Sequence, residues 1–196
     1  MKKFRTILLF GAPGAGKGTQ GKILGTVPNF FHCACGDVFR SLSATNPLAK
    51  VFIEYTGRGE LVPDSRTIRL WREFIRNCER TGRIHRESDT LVLDGIPRSL
   101  RLAEMLADTL DVVGVFYLHC PDFEKLVERL QRRALKENRL DDANIEVIRH
   151  RLKVYEKETK SLLQFYGKKI LHRIDSTQPP VKVLRQILGF IEKVER

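Results

Sequence analysis

Short runs of apolar residues alternate along the chain with longer segments in which apolar residues recur every three or four positions. The short runs predict buried strands, and the longer period predicts amphipathic helices. Two runs, at residues 90–93 and 112–118, are almost free of polar residues, as expected of central strands covered on both faces. The alternation therefore predicts an α/β fold with a parallel sheet. Strands are predicted near residues 4–10, 30–34, 89–93, 112–118 and 170–174.

The helical pattern is clearest near the end of the chain, where long helices are predicted at residues 143–166 and 181–194. Residues 43–88 interrupt the alternation with helical segments and turns, without a strand pattern. We interpret this stretch as a helical insertion into the sheet domain. Three of its apolar residues are spaced to share one core-facing helix side: Trp71, Phe74 and Ile75.

The composition is that of one soluble domain. The chain has 196 residues, of which 42% are hydrophobic and 30% charged, and no apolar run approaches the roughly 18 residues of a membrane span. We therefore expect no membrane partner. The first ten residues resemble a short signal peptide, but their apolar part runs directly into a glycine-rich segment, so cleavage there would remove a predicted strand. A cytoplasmic protein is the expectation.

Cysteine usage and net charge narrow the possible functions. Cys33, Cys35, Cys78 and Cys120 form no CxxC pair, which indicates neither a zinc site nor a disulfide framework. The net charge of +11 is compatible with nucleic-acid binding, a solvated basic surface or a site for polyanionic small substrates. No nucleic-acid-binding motif is present, and several arginines lie near the nucleotide motifs described next. The third interpretation is favoured, and we expect no nucleic-acid partner.

The segment GAPGAGKGTQ, at residues 11–20, follows an apolar run and precedes a helical pattern. Its glycines allow backbone amides to approach an anion closely, and a helix N-terminus adds partial positive charge. Lys17 supplies a full charge and Thr19 a hydroxyl. The spacing fits the P-loop, which binds nucleoside triphosphates, although Gly18 stands where serine or threonine is usual. The alternative is an ordinary glycine-rich turn.

The segment LDGIPRS, at residues 93–99, follows a predicted buried strand. An acidic residue at such a strand end, beside a phosphate-binding loop, can hold Mg²⁺ through water, because Mg²⁺ prefers oxygen ligands and retains several waters. We predict that Asp94 holds Mg²⁺ in this way and that Thr19 coordinates it. Pro97 fixes a turn that directs Arg98 across the top of the sheet. The alternative is a plain Asp-Gly turn.

Five stretches resemble, in family order, the motifs of adenylate kinases and related nucleoside monophosphate kinases. In that family GKGT replaces the usual GKS or GKT, and DGIPR resembles its Asp-Gly-aromatic-Pro-Arg string, with Ile96 in place of the aromatic residue. The resemblance covers nearly the whole chain. The five stretches lie at residues 11–20, 32–42, 59–64, 93–99 and 129–142.

The resemblance implies that Arg40, in HCACGDVFRSL, binds the phosphate of the acceptor nucleotide. Ala34 and Cys35 stand where the family usually has serine and threonine, so part of the usual polar lining is absent. The alternative interpretation is that Asp37 caps a helix and Arg40 is a surface side chain.

Three apolar residues are implied to lie near the acceptor base. Leu61 and Val62, in the LVPD string, would face it, although ordinary helix packing would explain them equally well. Leu102 occupies the position of the glutamine that reads the edge of adenine in the family, and leucine cannot form that hydrogen bond. AMP is the first choice of acceptor by resemblance, with CMP, UMP or GMP as alternatives. Leu102 packing in the core is the other possibility.

The last matching region is rich in arginines and corresponds to the mobile lid of the family. The interval at residues 133–142 is that of short-lid forms and contains no cysteines, so no structural zinc is expected. The spacing to the final arginine is one residue longer than usual, which leaves Arg149 as a second candidate. The arginines that match the family positions are Arg129, Arg133, Arg139 and Arg151.

The resemblance implies a P-loop three-layer α/β/α fold with a five-stranded parallel sheet and a single domain at residues 1–196. Its parts are a core (1–42, 89–132 and 143–196), an insertion that binds the monophosphate (about 43–88) and a short lid (about 133–142). The implied reaction is the reversible, Mg²⁺-dependent transfer of the ATP γ-phosphate to AMP by a monomer. Two rival functions are a P-loop ATPase or switch and a basic nucleic-acid-binding protein that uses ATP.

Each site residue receives a role from this interpretation. The residues expected to bind ATP are Gly14, Ala15, Gly16, Lys17, Gly18, Thr19, Arg129, Arg133 and Gln178. The residues expected to bind the monophosphate are Cys35, Arg40, Leu61, Val62, Gly95, Arg98, Leu102, Arg139 and Arg151. The catalytic cations are expected to be Lys17, Arg98, Arg133, Arg139 and Arg151, and the metal site Thr19 and Asp94.

Overall fold

A computed structural model describes residues 2–137 and 139–194, which form a parallel five-stranded sheet with helices on both faces. The strand order is β2-β3-β1-β4-β5, with every neighbouring pair parallel. The predicted fold class is therefore confirmed. The strands are β1 (Phe4–Gly11), β2 (Phe30–Ala34), β3 (Thr90–Asp94), β4 (Leu110–His119) and β5 (Leu171–Asp175).

The helices connect the strands and include the insertion between β2 and β3. The two long helices near the end of the chain lie where they were predicted, within two residues at each boundary. The helices are α1 (Lys17–Leu24), α2 (Cys35–Arg40), α3 (Pro47–Gly57), α4 (Asp64–Arg80), α5 (Leu100–Leu106), α6 (Phe123–Glu137), α7 (Ile145–Tyr166) and α8 (Pro180–Val194). None of them is long and apolar enough to cross a membrane.

Helices cover both faces of the sheet, and successive side chains of β1 point to opposite faces, so residues on each face are buried. Phe4 and Leu8 belong to a core that is shared with α2, α4 and α5, whereas Ile7 and Leu9 pack with α1, α6 and α8. This explains why the strands are apolar at nearly every position rather than at every second one.

The insertion consists mainly of α3 and α4. Asn46 caps α3, because its Oδ1 accepts a hydrogen bond from the Leu48 amide at 2.9 Å. Trp71 and Ile75 on α4 are buried and Phe74 packs against the same core, as their spacing predicted. The insertion is thus anchored to the sheet domain by the inner face of α4.

The predicted lid at residues 133–142 has two structural parts. Helix α6 continues to Glu137, so the first part is the last turn of that helix. The second part is a single 3-10 turn, Leu140–Asp142, just before α7. Residue 138 lies outside the described residues.

Parallel strands bring all their carboxyl ends to one edge of the sheet. Leu9 of β1 lies beside Asp94 of β3, which in turn lies beside Ala34 of β2. In open α/β sheets ligands bind at this edge. The fold therefore brings the glycine-rich loop after β1 and the Asp94 turn after β3 to the same place.

Candidate active site

A cavity of about 550 Å³ opens at the carboxyl edge of the sheet. It is lined by the loop after β1, the ends of β2 and β3, the insertion, and helices α6 and α7. Most residues predicted from the sequence meet here. The predicted residues that line it are Gly14, Ala15, Gly16, Lys17, Gly18, Thr19, Arg40, Leu61, Asp94, Gly95, Arg98, Arg129, Arg133, Arg139, Arg151 and Gln178.

The glycine-rich loop depends on backbone conformations that side chains disfavour. Gly14 and Gly16 have φ angles of 83° and 95°, in the left-handed region, and α1 begins directly afterwards at Lys17. A Cβ on Gly14 would also come within 3.0 Å of the Leu126 carbonyl on α6. The loop is therefore formed by local glycine geometry and held closely against α6, with the N-terminus of α1 facing the cavity.

Lys17 folds back over this loop. Its Nζ donates hydrogen bonds to the carbonyls of Gly11 at 2.7 Å and Ala12 at 3.1 Å. Burial lowers the pKa of Lys17 to about 8; the Asp94 carboxylate opposes the shift, and the arginines Arg98, Arg133 and Arg151 add to it. Lys17 therefore lies among several positive charges, an arrangement that suits the binding of a polyanion.

Asp94 and Thr19 fit the predicted magnesium site. A Cβ on Gly18 would lie 3.5 Å from Asp94 Oδ2, so this carboxylate lies next to the first turn of α1, and both Asp94 and Thr19 line the cavity. Among the described residues no hydrogen bond or ion pair engages it. Those residues also contain no group of three His, Cys, Asp or Glu side chains that could enclose a metal. A cation here would keep water and phosphate oxygens as ligands, which suits Mg²⁺.

Arg98 is positioned by the turn that follows Asp94. Its Nε donates to the Gly95 carbonyl at 2.6 Å, while Gly95 itself has a φ of 74°. A cis peptide bond joins Ile96 and Pro97 within the same turn. The exposed guanidinium thus reaches the cavity from β3, as the sequence analysis predicted.

Two further arginines are held by one fully buried carboxylate. Asp142 has no exposed surface, and both Arg133 of α6 and Arg151 of α7 form ion pairs with it. Arg151 also contacts Asp141 at 2.9 Å. Burial lowers the pKa of Arg151, and the two aspartates partly offset this. Asp142 therefore fixes two cations at the cavity wall and satisfies its own charge by doing so.

A second carboxylate, Asp37, links α2 to the segment between α6 and α7. Its Oδ1 lies 2.6 Å from Arg40 Nη2 and 3.5 Å from Arg139 Nη2. Burial alone would raise the pKa of Asp37, but the hydrogen bond and charge of Arg40, with the charge of Arg139, lower it. The residue that caps α2 is Ala34, so Asp37 does not serve as the helix cap considered from the sequence.

Arg129 connects the glycine-rich loop to the loop after β5. Its Nη2 donates to the Ser176 carbonyl at 3.0 Å, and its Nη1 approaches the Gly14 carbonyl at 3.5 Å. Gln178 follows in the same loop and lines the cavity. Of the two candidates for the last arginine, Arg151 lines the cavity, whereas Arg149 is turned outward to within 3.7 Å of Glu124.

Three of the predicted residues do not contribute to the cavity lining. Cys35 and Leu102 are core residues that are 5% and 1% exposed, and Val62 packs against the same core. Their contact with a monophosphate stays a prediction. For Leu102 the structure favours the alternative, because its side chain is almost fully buried in the core that α2, α4 and α5 share with the sheet.

Several cavity residues were not found by the sequence analysis. Phe52 of α3 stacks on Phe39, with ring centroids 4.9 Å apart, and carries the Arg40 guanidinium 5.7 Å above its ring. Apolar residues at helical spacing in residues 47–57 could have identified this face. Asp142 carries a weaker signal, since an Asp-Asp pair shows neither its burial nor its partners.

Comparisons with known proteins agree with this arrangement. The family model described as Adenylate kinase matches residues 9–171. The chain is 40% identical to the adenylate kinase of a Cyanothece species, with 96% of each chain covered. It is 40% identical to that of Thermobifida fusca and 34% identical to that of Thermus thermophilus; each match covers 93% of this chain and 95% of the relative.

Proposed function

This chain belongs to the adenylate kinase family, and we propose that its cavity carries out the Mg²⁺-dependent transfer of the γ-phosphate of ATP to AMP, giving two molecules of ADP. One observation supports this most directly. The glycine-rich loop, the free carboxylate of Asp94 and the arginines of two ion-paired clusters line a single cavity. Such a cavity can hold the triphosphate of ATP and the single phosphate of AMP end to end.

The cavity suits phosphoryl transfer because this reaction needs alignment and charge neutralisation more than a nucleophile or a base. ATP binds with its phosphates on the loop at residues 14–19 and its base near Gln178. Lys17 exchanges its hydrogen bonds to the loop carbonyls for the β- and γ-phosphates. Thr19 and, through water, Asp94 would hold Mg²⁺, which supplies further positive charge between the phosphates.

The acceptor lies on the opposite side of the cavity. Arg40 and Arg98 bind the phosphate of the monophosphate, and Phe52 and Leu61 provide apolar contacts in the insertion. Arg133, Arg139 and Arg151 neutralise the charge that spreads over the transferred group. Approach of the lid and insertion also excludes water, which would otherwise accept the phosphate.

The domain division belongs to the same proposal. The core comprises residues 1–42, 89–132 and 143–196, with the insertion at about 43–88 and a short lid at about 133–142. The monomeric state, the cytoplasmic location and the lack of structural zinc stay predictions.

One assay tests the reaction. The purified chain is incubated with ATP, Mg²⁺ and AMP, CMP, UMP or GMP in turn, and ADP is measured. We expect ADP to form fastest with AMP, to require a monophosphate and to stop when EDTA removes Mg²⁺. Release of inorganic phosphate without any monophosphate would instead identify a P-loop ATPase.

The base preference is tested with Leu102→Gln. Because Leu102 is in the core, we expect the buried amide to lower the free energy of unfolding by about 1 to 3 kcal/mol and to leave the order of acceptors unchanged. A selective gain in kcat/KM for AMP would show that residue 102 contacts the base after all.

A further inference from the structure

The outer face of α4 carries a line of arginines that the proposed reaction does not use. All are exposed, and their spacings of three, three, four and four residues keep them within about a third of the helix circumference. From first to last they extend over about 21 Å along the helix axis. We call these residues the arginine face: Arg66, Arg69, Arg72, Arg76 and Arg80.

No ion pair among the described residues neutralises the charge of the arginine face. Two of the three acidic residues of α4 are engaged elsewhere, since Asp64 accepts a hydrogen bond from Ser99 and Glu79 pairs with Arg86. Only Glu73 remains beside the arginines. Like charges three or four residues apart repel, so this arrangement is unfavourable to the helix by itself.

The arginine face is separate from the nucleotide site. No residue of α4 lines the cavity, and the opposite side of the helix is packed into the core through Ile68, Trp71 and Ile75. Substrate binding therefore does not account for these five charges. They also lie on a continuous helix of 17 residues, which holds them in a fixed line.

We propose that the arginine face of α4 binds the phosphate backbone of a double-stranded nucleic acid, which reverses the expectation from the sequence that the protein has no nucleic-acid partner. Guanidinium groups form paired hydrogen bonds with phosphates, and successive arginines about 4.5 to 6 Å apart along the helix can each meet a different phosphate. A duplex presents such a line of charge with a rigid shape. The contacts are to the backbone, so binding is independent of sequence.

Two other polyanions fit the helix less well. Single strands are normally bound with aromatic side chains on which bases stack, but Trp71 is buried and Phe74 is packed beneath Arg83. A membrane-binding helix inserts an apolar face into the lipid, and the apolar face of α4 is already covered by the core. A duplex needs neither feature.

The test measures binding of a labelled duplex of about 20 base pairs, as DNA or as RNA, between about 50 and 200 mM NaCl. Excess ADP without Mg²⁺ fills the nucleotide site. We expect a slope of about −4 in the plot of log Kobs against log salt, from four to five phosphate contacts. Binding of both duplexes, or of one alone, supports the proposal and identifies the nucleic acid.

The decisive variant combines Arg66→Gln, Arg69→Gln, Arg76→Gln and Arg80→Gln, and keeps Arg72 because its guanidinium supports the Met105 carbonyl at 3.0 Å. At low salt the affinity for the duplex should fall at least about tenfold, and the slope should become less negative by about 3 to 4. ADP formation should be unchanged. Unchanged ADP formation shows that the variant is folded and keeps this result separate from the proposed reaction.

A matched control removes four exposed cations outside α4, two in the loop before β5 and two on α8: Lys168→Gln, Lys169→Gln, Lys182→Gln and Arg185→Gln. This control variant should keep the same slope of log Kobs against log salt as the unchanged protein. The proposal is wrong if neither duplex binds at low salt, or if the control weakens binding as much as the arginine variant. Tighter binding to vesicles containing phosphatidylserine, lost in the same arginine variant, would also overturn it.

Discussion

The glycine-rich loop and the arginine clusters face each other across the cavity but are built in different ways. The loop consists of consecutive residues, 11–19, whose conformation follows from glycines with positive φ and the start of α1. The arginines come from α2, the turn after β3, α6, the lid and α7. Most of them are held by carboxylates, such as Asp37 and Asp142, that other segments provide.

Local backbone conformation therefore positions the loop, whereas contacts between segments distant in the sequence position the arginines. The loop would keep its shape in any protein that supplied a strand before it and a helix after it. The arginine clusters exist only when the insertion, lid and sheet are assembled. Substitution of Lys17 should therefore act on chemistry without lowering stability, whereas substitution of the buried carboxylate of Asp142 should affect both.

The largest effect is expected at the loop. Lys17→Ala should lower turnover by about three powers of ten, because it removes a positioned charge from the transferred phosphate. The thermal unfolding midpoint at neutral pH should not fall, since Lys17 makes hydrogen bonds only to its own loop and its burial disfavours the charged form. ADP formation and thermal unfolding measure the two effects. Near-normal turnover of the folded variant would refute the assignment of the loop.

On the arginine side, Arg98→Ala should lower turnover by about 10 to 100-fold, because this guanidinium meets developing charge at the cavity. Arg185→Ala, on the exposed side of α8, serves as the control and should change turnover less than about twofold. Steady-state ADP formation compares them. Small, equal effects would show that Arg98 is only a surface charge.

The two carboxylates should differ in their contribution to stability. Asp142→Asn should lower the free energy of unfolding by about 3 kcal/mol, because it leaves two partly buried arginines without their partner. Asp37→Asn should cost less than about 1 kcal/mol, because the Asp37 side chain is 46% exposed. Urea unfolding of both variants tests this. Equal losses of unfolding free energy in the two variants would mean that burial of the carboxylate does not determine its contribution to stability.

The smallest expected effect is on pH dependence. With the pKa of Lys17 near 8 in the free protein, kcat/KM for ATP should fall above about pH 8, since only the charged lysine binds phosphate. Bound phosphate should raise this pKa, so kcat at saturating ATP should fall only at higher pH. Rate profiles from about pH 7 to 10 test both expectations. Coincident profiles would contradict them.

The lowered pKa of Lys17 also determines how the free energy of unfolding changes with pH. The folded-state pKa of Lys17 lies below its ordinary value of 10.5, so the unfolded state binds more protons between about pH 8 and 10.5. Lys17 should therefore make unfolding less favourable as pH rises through this window. Lys17→Ala should lack this contribution in denaturant titrations.

The sequence predicted the strands closely because burial on both faces leaves an unbroken apolar run. The largest error was at the start of β4, which begins at Leu110 rather than near residue 112. Leu110 pairs with Phe4, the first residue of the neighbouring strand β1, a contact that no local pattern reveals. The sequence also did not show that α6 continues to Glu137 within the interval predicted as the lid, since residues 132–137 carry no clear apolar stripe.

The sequence alone predicted the fold class and a glycine-rich turn between β1 and α1, because glycine geometry and apolar periodicity act over a few residues. Most cations of the cavity came instead from the resemblance to the family. Tertiary structure decided that Arg151 rather than Arg149 reaches the cavity, that Leu102 is in the core, and that Asp142 is fully buried. Each of these depends on which distant segment packs against the residue. The strength of an ion pair depends on that packing, because burial removes the water that would otherwise screen it.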